Sequence, residues 1–278
     1  MRVDELLAAG PTRSFEFFPP RTDEEAGVLY STMDALAPLS PSFVSVTYRG
    51  ADPSSPRTFD LVTRIQREGR LTVMAHVVCA GHTRAELETL LRRYRDAGVE
   101  NLMALGGDAA PGRPRGELAH ADQLVDLARE VGDFSIGVAA HPAGHPASTS
   151  RDEDRRRMAD KLARADFAIT QFFFEARQWR DLVDDLAALG VTKPVVPGVM
   201  PVTSVASIPR MAERGAPVPD GRADRLRAAG DPASVRAAGV EAAVELCRDL
   251  VALGAPGLHF YTLNRSSATR VIHRALAG

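Results

Sequence analysis

Segments with the pattern of a β-strand and segments with the pattern of an α-helix alternate along the whole chain, eight strands in all, with no obvious linker between them. This alternation restrains the fold more than any other feature, because each strand–helix–strand unit places successive strands parallel in one sheet. The predicted strands are Arg13 to Phe18, Ser42 to Tyr48, Leu71 to Cys79, Glu100 to Leu105, Phe134 to Ala140, Phe167 to Phe174, Pro194 to Val199 and Gly257 to Thr262. Leu71 to Cys79 is nearly all apolar, as a strand covered on both faces should be. Between the strands, helices announce themselves by their ends. Acidic residues from Asp23 open one, Thr83 with Glu86 reads as a capping box, and Gly98, Gly190 and Gly254 close others. Pro217 to Ala229 reads as a short extra helix.

Eight such units in 278 residues predict a single (β/α)8 barrel of the α/β class, spanning 1–278 as one domain. An open doubly wound sheet is the alternative. No strand runs into the Gly-x-Gly-x-x-Gly turn of a dinucleotide fold, so a nucleotide would have to bind in another way.

The charge totals narrow the function. Thirty-four basic residues against 36 acidic ones give a net charge of −2, without the basic stripe of a nucleic-acid binder. No apolar run is long enough to span a membrane, and Met1 to Gly10 lacks the features of a signal peptide. Cys79 and Cys247 are too few and too separated for a disulfide framework or a zinc site, and they predict a reduced, cytoplasmic setting. Self-association into a homo-oligomer is left open.

The chemistry gathers where the strands end. Ser14 to Arg21 (SFEFFPPR) is a short aromatic strand stopped by Pro19 and Pro20, which cannot continue a ladder. Glu16 therefore lies at the C-terminal end of the first strand, next to phenylalanines. A carboxyl group among aromatic rings is desolvated, which raises its pKa and prepares it as a general acid. The plainer reading is a glutamate paired with an arginine. The other strands end in Thr47 with Tyr48, His76, Asp108, His141, Gln171, and Asn264 with Arg265, except the seventh, which ends in Met200-Pro201. In a barrel these positions share the rim that carries the active site. Each alone has a structural reading, His76 as a satisfied core histidine and Asp108 as a turn residue. His141 and His145 are four apart, but proline and glycine between them exclude the helix that would align them, so no metal is expected. Arg151 to Lys161 reads as a solvated helix face whose arginines could also meet a cofactor phosphate.

Taken together, SFEFFPPR, Phe43 to Tyr48 (FVSVTY), Ala75-His76, Leu105 to Asp108, Val138 to Pro146, Ala168 to Phe174 (AITQFFF), Pro197 to Val202 (PGVMPV) and His259 to Arg265 (HFYTLNR) resemble the methylenetetrahydrofolate reductase family, in order and from about residue 12 onward. The resemblance implies a (β/α)8 barrel that uses FAD and NAD(P)H to reduce 5,10-methylenetetrahydrofolate to 5-methyltetrahydrofolate, here without the regulatory domain of eukaryotic members. It implies that Glu16 is the general acid and that Asp108 lies by flavin and pterin. It assigns Thr47, Tyr48, His76, Gly106, Gly107, Asp108, Ala121, His141, His145 and Lys161 to the flavin. Gln171 would bind whichever of folate or nicotinamide occupies a shared site, and Arg265 and Arg21 would serve the folate.

Three departures from the family pattern stand out. Gly106 replaces an arginine, and His120 and His141 stand at aromatic positions. Losing a charge-assisted contact costs about 1.5–3 kcal/mol, so the hold on FAD is expected to weaken. Two other readings follow: direct hydride transfer from NADH without flavin, and an idle barrel that binds folate or a partner protein.

Overall fold

The computed structural model describes residues 1–48, 56–107 and 116–276. In chain order the strands are β1 (Thr12–Phe17), β2 (Phe43–Val46), β3 (Val73–Val78), β4 (Asn101–Leu105), β5 (Ser135–Ala140), β6 (Phe167–Thr170), β7 (Val195–Val196), β8 (Gly198–Val199) and β9 (Gly257–Tyr261). The helices are α1 (Val3–Ala9), α2 (Asp23–Leu36), α3 (Pro56–Glu68), α4 (Arg84–Asp96), α5 (Ala121–Val131), α6 (Arg151–Arg164), α7 (Ala176–Ala188), α8 (Ile208–Glu213), α9 (Asp220–Ala228), α10 (Pro232–Ala252) and α11 (Ser267–Ala275). Every strand pairing is parallel, and the strand order is β7-β6-β5-β4-β3-β2-β1-β9-β8.

The two ends of that order meet in one segment. Pro197 has no N–H to give, and it splits the expected seventh strand into β7 and β8. Before it, Val195 and Val196 pair with β6; after it, Gly198 and Val199 pair with β9. The Pro197 carbonyl still accepts from the His259 N–H at 3.0 Å. One stretch thus hands over from one neighbour to the next and brings the sheet round into the predicted barrel.

Period-two alternation sorts the side chains. Phe15, Phe17, Val44, Val46, Ala75, Val77, Ile136, Val138, Leu258 and Phe260 join the layer between strands and helices. Fully burying one such phenylalanine contributes about 1.5–3 kcal/mol. Phe43, Met74, Met103, Phe167, Ile169 and Val196 fill the lower interior, where Val3 and Leu7 of α1 close the N-terminal end. Gly137 makes room there, since a Cβ on it would lie 2.5 Å from the Phe167 ring.

Local signals set the helix ends. Thr83 accepts from Glu86 N while the Glu86 carboxylate accepts from Thr83 N. Asp231 caps α10 by accepting from Ala233 N and Ser234 N, and Thr22 caps α2.

The structure adds one helix and corrects one expectation besides the split strand. Helix α1 was not anticipated. The sixth strand stops at Thr170 rather than Phe174, because Phe172 N turns to Gln171 Oε1 instead of a strand partner. The short extra helix expected over Pro217 to Ala229 is present as α9; its Ala223 and Leu226, with Met211 of α8, pack with Phe172, Phe174 and Val202 into a second apolar cluster. That cluster holds the chain beyond β6 in place.

Candidate active site

Glu16 is the last residue of β1 to pair with β9, opposite Tyr261, and its side chain shares the inward face with Ser14. Its Oε2 lies 3.5 Å from His76 Nε2 on β3 and 3.6 Å from His259 Nε2 on β9. Both distances exceed a hydrogen bond, so these are close polar contacts rather than bonds. His259 is fixed from behind, with Nδ1 2.8 Å from Ser14 Oγ and its ring stacked on Phe43. Burial pulls the His76 imidazole down to about 4; the nearby Glu16 charge opposes this and His259 adds to it. His76 is therefore neutral near pH 7.

Tyr261 completes the group. Its ring meets His259 edge-on at 5.3 Å, and its hydroxyl donates to Thr170 O at 2.6 Å. Burial first, and then the Glu16 charge, hold that hydroxyl well above its ordinary value. Gly198 permits the arrangement, as a Cβ there would lie 2.6 Å from the Tyr261 ring.

The surroundings of Glu16 differ from the sequence-based expectation. Phe15 and Phe17 point outward into the helix layer, so the aromatic neighbours in sequence are not neighbours in space. Imidazoles and a phenol surround the carboxyl group instead. Among the described residues no arginine pairs with it: Arg21 is exposed and held by Glu25, with Nε and Nη2 at 3.0 and 2.7 Å from Oε1. Arg265 is exposed on the turn after β9, where its N–H donates to Thr262 O.

The remaining expected positions follow β2 to β6. Thr47 and Tyr48 are half-buried just past β2, and Thr47 N donates to Phe17 O at 2.9 Å. Gly106 and Gly107 follow β4. Ala121 opens α5, and its N–H would lie 3.9 Å from a Cβ placed on Gly106. His120 is the exposed N-cap of that helix. Asp108 lies outside the described residues.

After β5, the His141 and His145 rings meet edge-to-face at 4.7 Å. Burial, with His145 and Lys161 beside it, pushes His141 down to about 4. The loop that carries them is held from α6. Asp154 accepts from His145 N and Ser148 Oγ. Arg155, 4% exposed, donates to His141 O, Pro142 O, Asp154 and Asp185. Lys161 reaches back to Ala139 O at 2.6 Å, and burial lowers its ammonium to about 8. The arginines of α6 are mostly engaged within the chain: Arg151 with Asp185, Arg157 with Glu153, and Arg155 in the loop.

Gln171 continues from β6, with its N–H on Ala140 O and its Oε1 accepting from Phe172 N. It lines a narrow cleft with His141, Ala143, Phe172, Gln178 and Ala216. Among the described residues no group of three or more His, Cys, Asp or Glu side chains is arranged to hold a metal ion, and no helix is long and apolar enough to cross a membrane.

The strand ends thus bring Glu16 and His76 together, with Thr47 close by on the neighbouring strand end; His141, His145 and Lys161 form a second group after β5. Sequence reading missed Ser14, His259 and Tyr261 as partners of Glu16. The signal was present: in Gly257-Leu258-His259-Phe260-Tyr261 the residues His259 and Tyr261 share parity on one strand.

Comparison with known proteins gives the family of the chain. The family model described as methylenetetrahydrofolate reductase matches residues 2–277. The 5,10-methylenetetrahydrofolate reductase of Escherichia coli (strain K12) is 35% identical over 266 residues, covering 95% of this chain and 90% of that protein. Methylenetetrahydrofolate reductase 1 of Schizosaccharomyces pombe is 34% identical over 94% of this chain and 45% of its own length. Among solved structures, an uncharacterized protein from Clostridium thermocellum that binds two copies of 5-methyl-5,6,7,8-tetrahydrofolic acid superimposes with a TM-score of 0.75 at 12% identity, over 98% of both chains; at that identity the likeness is one of fold. With its family model matched nearly end to end and its barrel in place, the chain belongs to the methylenetetrahydrofolate reductase family.

Proposed function

We propose that this protein reduces 5,10-methylenetetrahydrofolate to 5-methyltetrahydrofolate with electrons from NAD(P)H, through bound FAD, and that Glu16 supplies the proton that opens the substrate ring. The observation that carries the reading is the inward-facing Glu16 carboxyl group, set against His76 and His259 in a member of this family. We place the protein in the cytoplasm.

The substrate's methylene carbon bridges two nitrogens and cannot accept hydride until one C–N bond breaks. Glu16 donates its proton to the leaving nitrogen, which keeps the electron pair of that bond, and an iminium carbon remains. His259, held by Ser14, and the neutral His76 flank the carboxyl group and limit where it can point. Solvent returns a proton to Glu16 after product leaves. Gln171 presents an amide that can donate and accept, which suits both a pterin edge and a nicotinamide edge. Asp108 would oppose negative charge and favour the cationic iminium. Arg265 is left for the folate's glutamate; Arg21 serves only by leaving Glu25.

The residues present fit FAD. Among the described residues, buried His76 Nδ1 and Asp122 Oδ1 have no hydrogen-bond partner, the first turn of α5 opens beside the empty space on Gly106, and Lys161 brings a half-buried cation to the end of β5. Thr47, Tyr48, His76, Gly106, Gly107, Ala121, His141, His145 and Lys161 would hold it, with no Rossmann turn. FAD held there would supply the redox chemistry between the nicotinamide and the iminium carbon.

The visible spectrum of the purified protein tests this. Flavin bands near 1:1 stoichiometry, bleached anaerobically by NADH, are expected. A colourless protein that still oxidises NADH with methylenetetrahydrofolate would replace the flavin route with direct hydride transfer. A colourless protein with no turnover after FAD is added would leave a binding barrel.

A further inference from the structure

The turn after β9 contains two consecutive non-glycine residues in the left-handed region, Leu263 at φ 50° and Asn264 at φ 56°. Asparagine tolerates that conformation; leucine does not adopt it freely. Leu263 is 53% exposed, so burial of its side chain does not compensate. Strain of this kind persists where surrounding contacts over-determine the backbone, and it gathers at functional sites.

Three of those contacts lead to the end of β1, and one anchors the turn to α2. Asn264 Oδ1 accepts from Phe18 N at 2.9 Å, and Asn264 Nδ2 donates to Phe18 O at 2.9 Å. Thr262 Oγ1 donates to Glu16 O at 2.6 Å and accepts from Asn264 N at 3.2 Å. Thr32 Oγ1 on α2 donates to Asn264 O at 3.0 Å. Backbone pairing between β1 and β9 stops at Glu16 opposite Tyr261, and Pro19 and Pro20 cannot extend it. The Asn264 amide, with one donor and one acceptor, supplies the next rung in place of a strand.

We propose that Asn264 is a positioning residue for the reaction: its two-point grip on Phe18 fixes the strand end that carries Glu16. The proposal rests on the reading of Glu16 as proton donor. Side chains alternate along a strand, so a small rotation of the Glu16–Phe18 backbone swings the carboxyl group relative to His76, His259 and the substrate nitrogen. A displacement of about 1 Å at a reacting group costs on the order of 100-fold in rate.

Asn264→Gly separates this role from that of an ordinary turn residue, because glycine keeps the left-handed backbone at no steric cost and removes only the amide. The expected result is a kcat for methylenetetrahydrofolate reduction lower by roughly 10- to 100-fold, with KM and the calorimetric dissociation constant of 5-methyltetrahydrofolate within about threefold of wild type. Asn264→Asp, which keeps the acceptor and loses the donor, is expected to fall between. A kcat for Asn264→Gly within twofold of wild type overturns the proposal, and so does a parallel loss of folate affinity, which would make Asn264 a binding contact. If Asn264→Gly gives no folded protein, Asn264→Asp decides, and a wild-type kcat there overturns the proposal. Glu16→Gln is measured alongside. An inactive Glu16→Gln beside a normal Asn264→Gly removes the positioning role alone, whereas a normal Glu16→Gln removes the acid reading beneath it.

Discussion

Arg155→Met is expected to lower the stability of the barrel more than any surface substitution. The guanidinium is 4% exposed and donates to four acceptors: Asp185 at 3.0 Å, Asp154 at 2.9 Å, His141 O at 3.2 Å and Pro142 O at 2.8 Å. Methionine covers the same apolar stem but donates to none of them. Asp154, itself 7% exposed, keeps His145 N and Ser148 Oγ but loses its hydrogen-bonded counter-charge. Removing one partner of a buried ion pair costs about 3–5 kcal/mol. For a chain of this size each kcal/mol moves the melting temperature by roughly 2–4 °C, so the expected fall is about 6–20 °C. Arg155→Lys keeps the charge but cannot span the same fork of acceptors, and it is expected to lose about half as much. Differential scanning calorimetry measures both against Arg156→Met, an exposed neighbour expected to stay within about 0.5 kcal/mol of wild type. If Arg155→Met melts within 2 °C of wild type, the argument that this guanidinium holds the loop from His141 to Ser150 is refuted.

Glu16→Gln keeps the shape of the carboxyl group without a proton to give, so folate reduction is expected to fall by roughly 100- to 10,000-fold while 5-methyltetrahydrofolate still binds; steady-state turnover and calorimetry report the two separately. Gly106 has room for a side chain, its nearest obstacle being Ala121 N at 3.9 Å, so Gly106→Arg is expected to hold flavin about tenfold more tightly, read from flavin fluorescence released on dilution. Burial lowers Lys161 to about 8, against an ordinary value near 10.4. Between those values the unfolded chain binds a proton that the folded chain does not, so stability rises with pH across that window and the full penalty applies below it. Lys161→Met is therefore expected to gain up to about 3 kcal/mol at pH 7 and to lose most of that advantage by pH 10; urea titrations giving the same difference at both pH values would contradict it.

The barrel was legible because its signals are local. Capping at Thr83, glycine stops at Gly98 and Gly254, and apolar runs such as Val73–Val78 each declare an element within a few residues. Closure at Pro197 was harder to see, since it depends on which neighbour each end of a five-residue stretch meets. The end of β6 depends on a side chain, Gln171, that competes with the ladder. At the site, rim residues could be picked out by strand position, but the company of Glu16 could not be read from adjacency. Phe15 and Phe17 adjoin it in sequence and face away from it, while His76 and His259 lie 60 and 243 positions along the chain and touch it. Period two, applied to β1 and β9 together, would have excluded the phenylalanines and nominated His259 and Tyr261.

Pairing between Thr12 and Gly257 has a consequence for how the chain is made. On a ribosome adding about 5–20 residues per second, the partner of the first strand's outer edge is synthesised on the order of 12–50 s after that edge. Through this interval β1 can pair with β2 on one side, while the other side presents unpaired N–H and C=O groups beside two phenylalanines. Such an edge invites pairing with another nascent chain. The two prolines that end β1 keep that edge short, so the residues that stop the first strand also limit aggregation during translation.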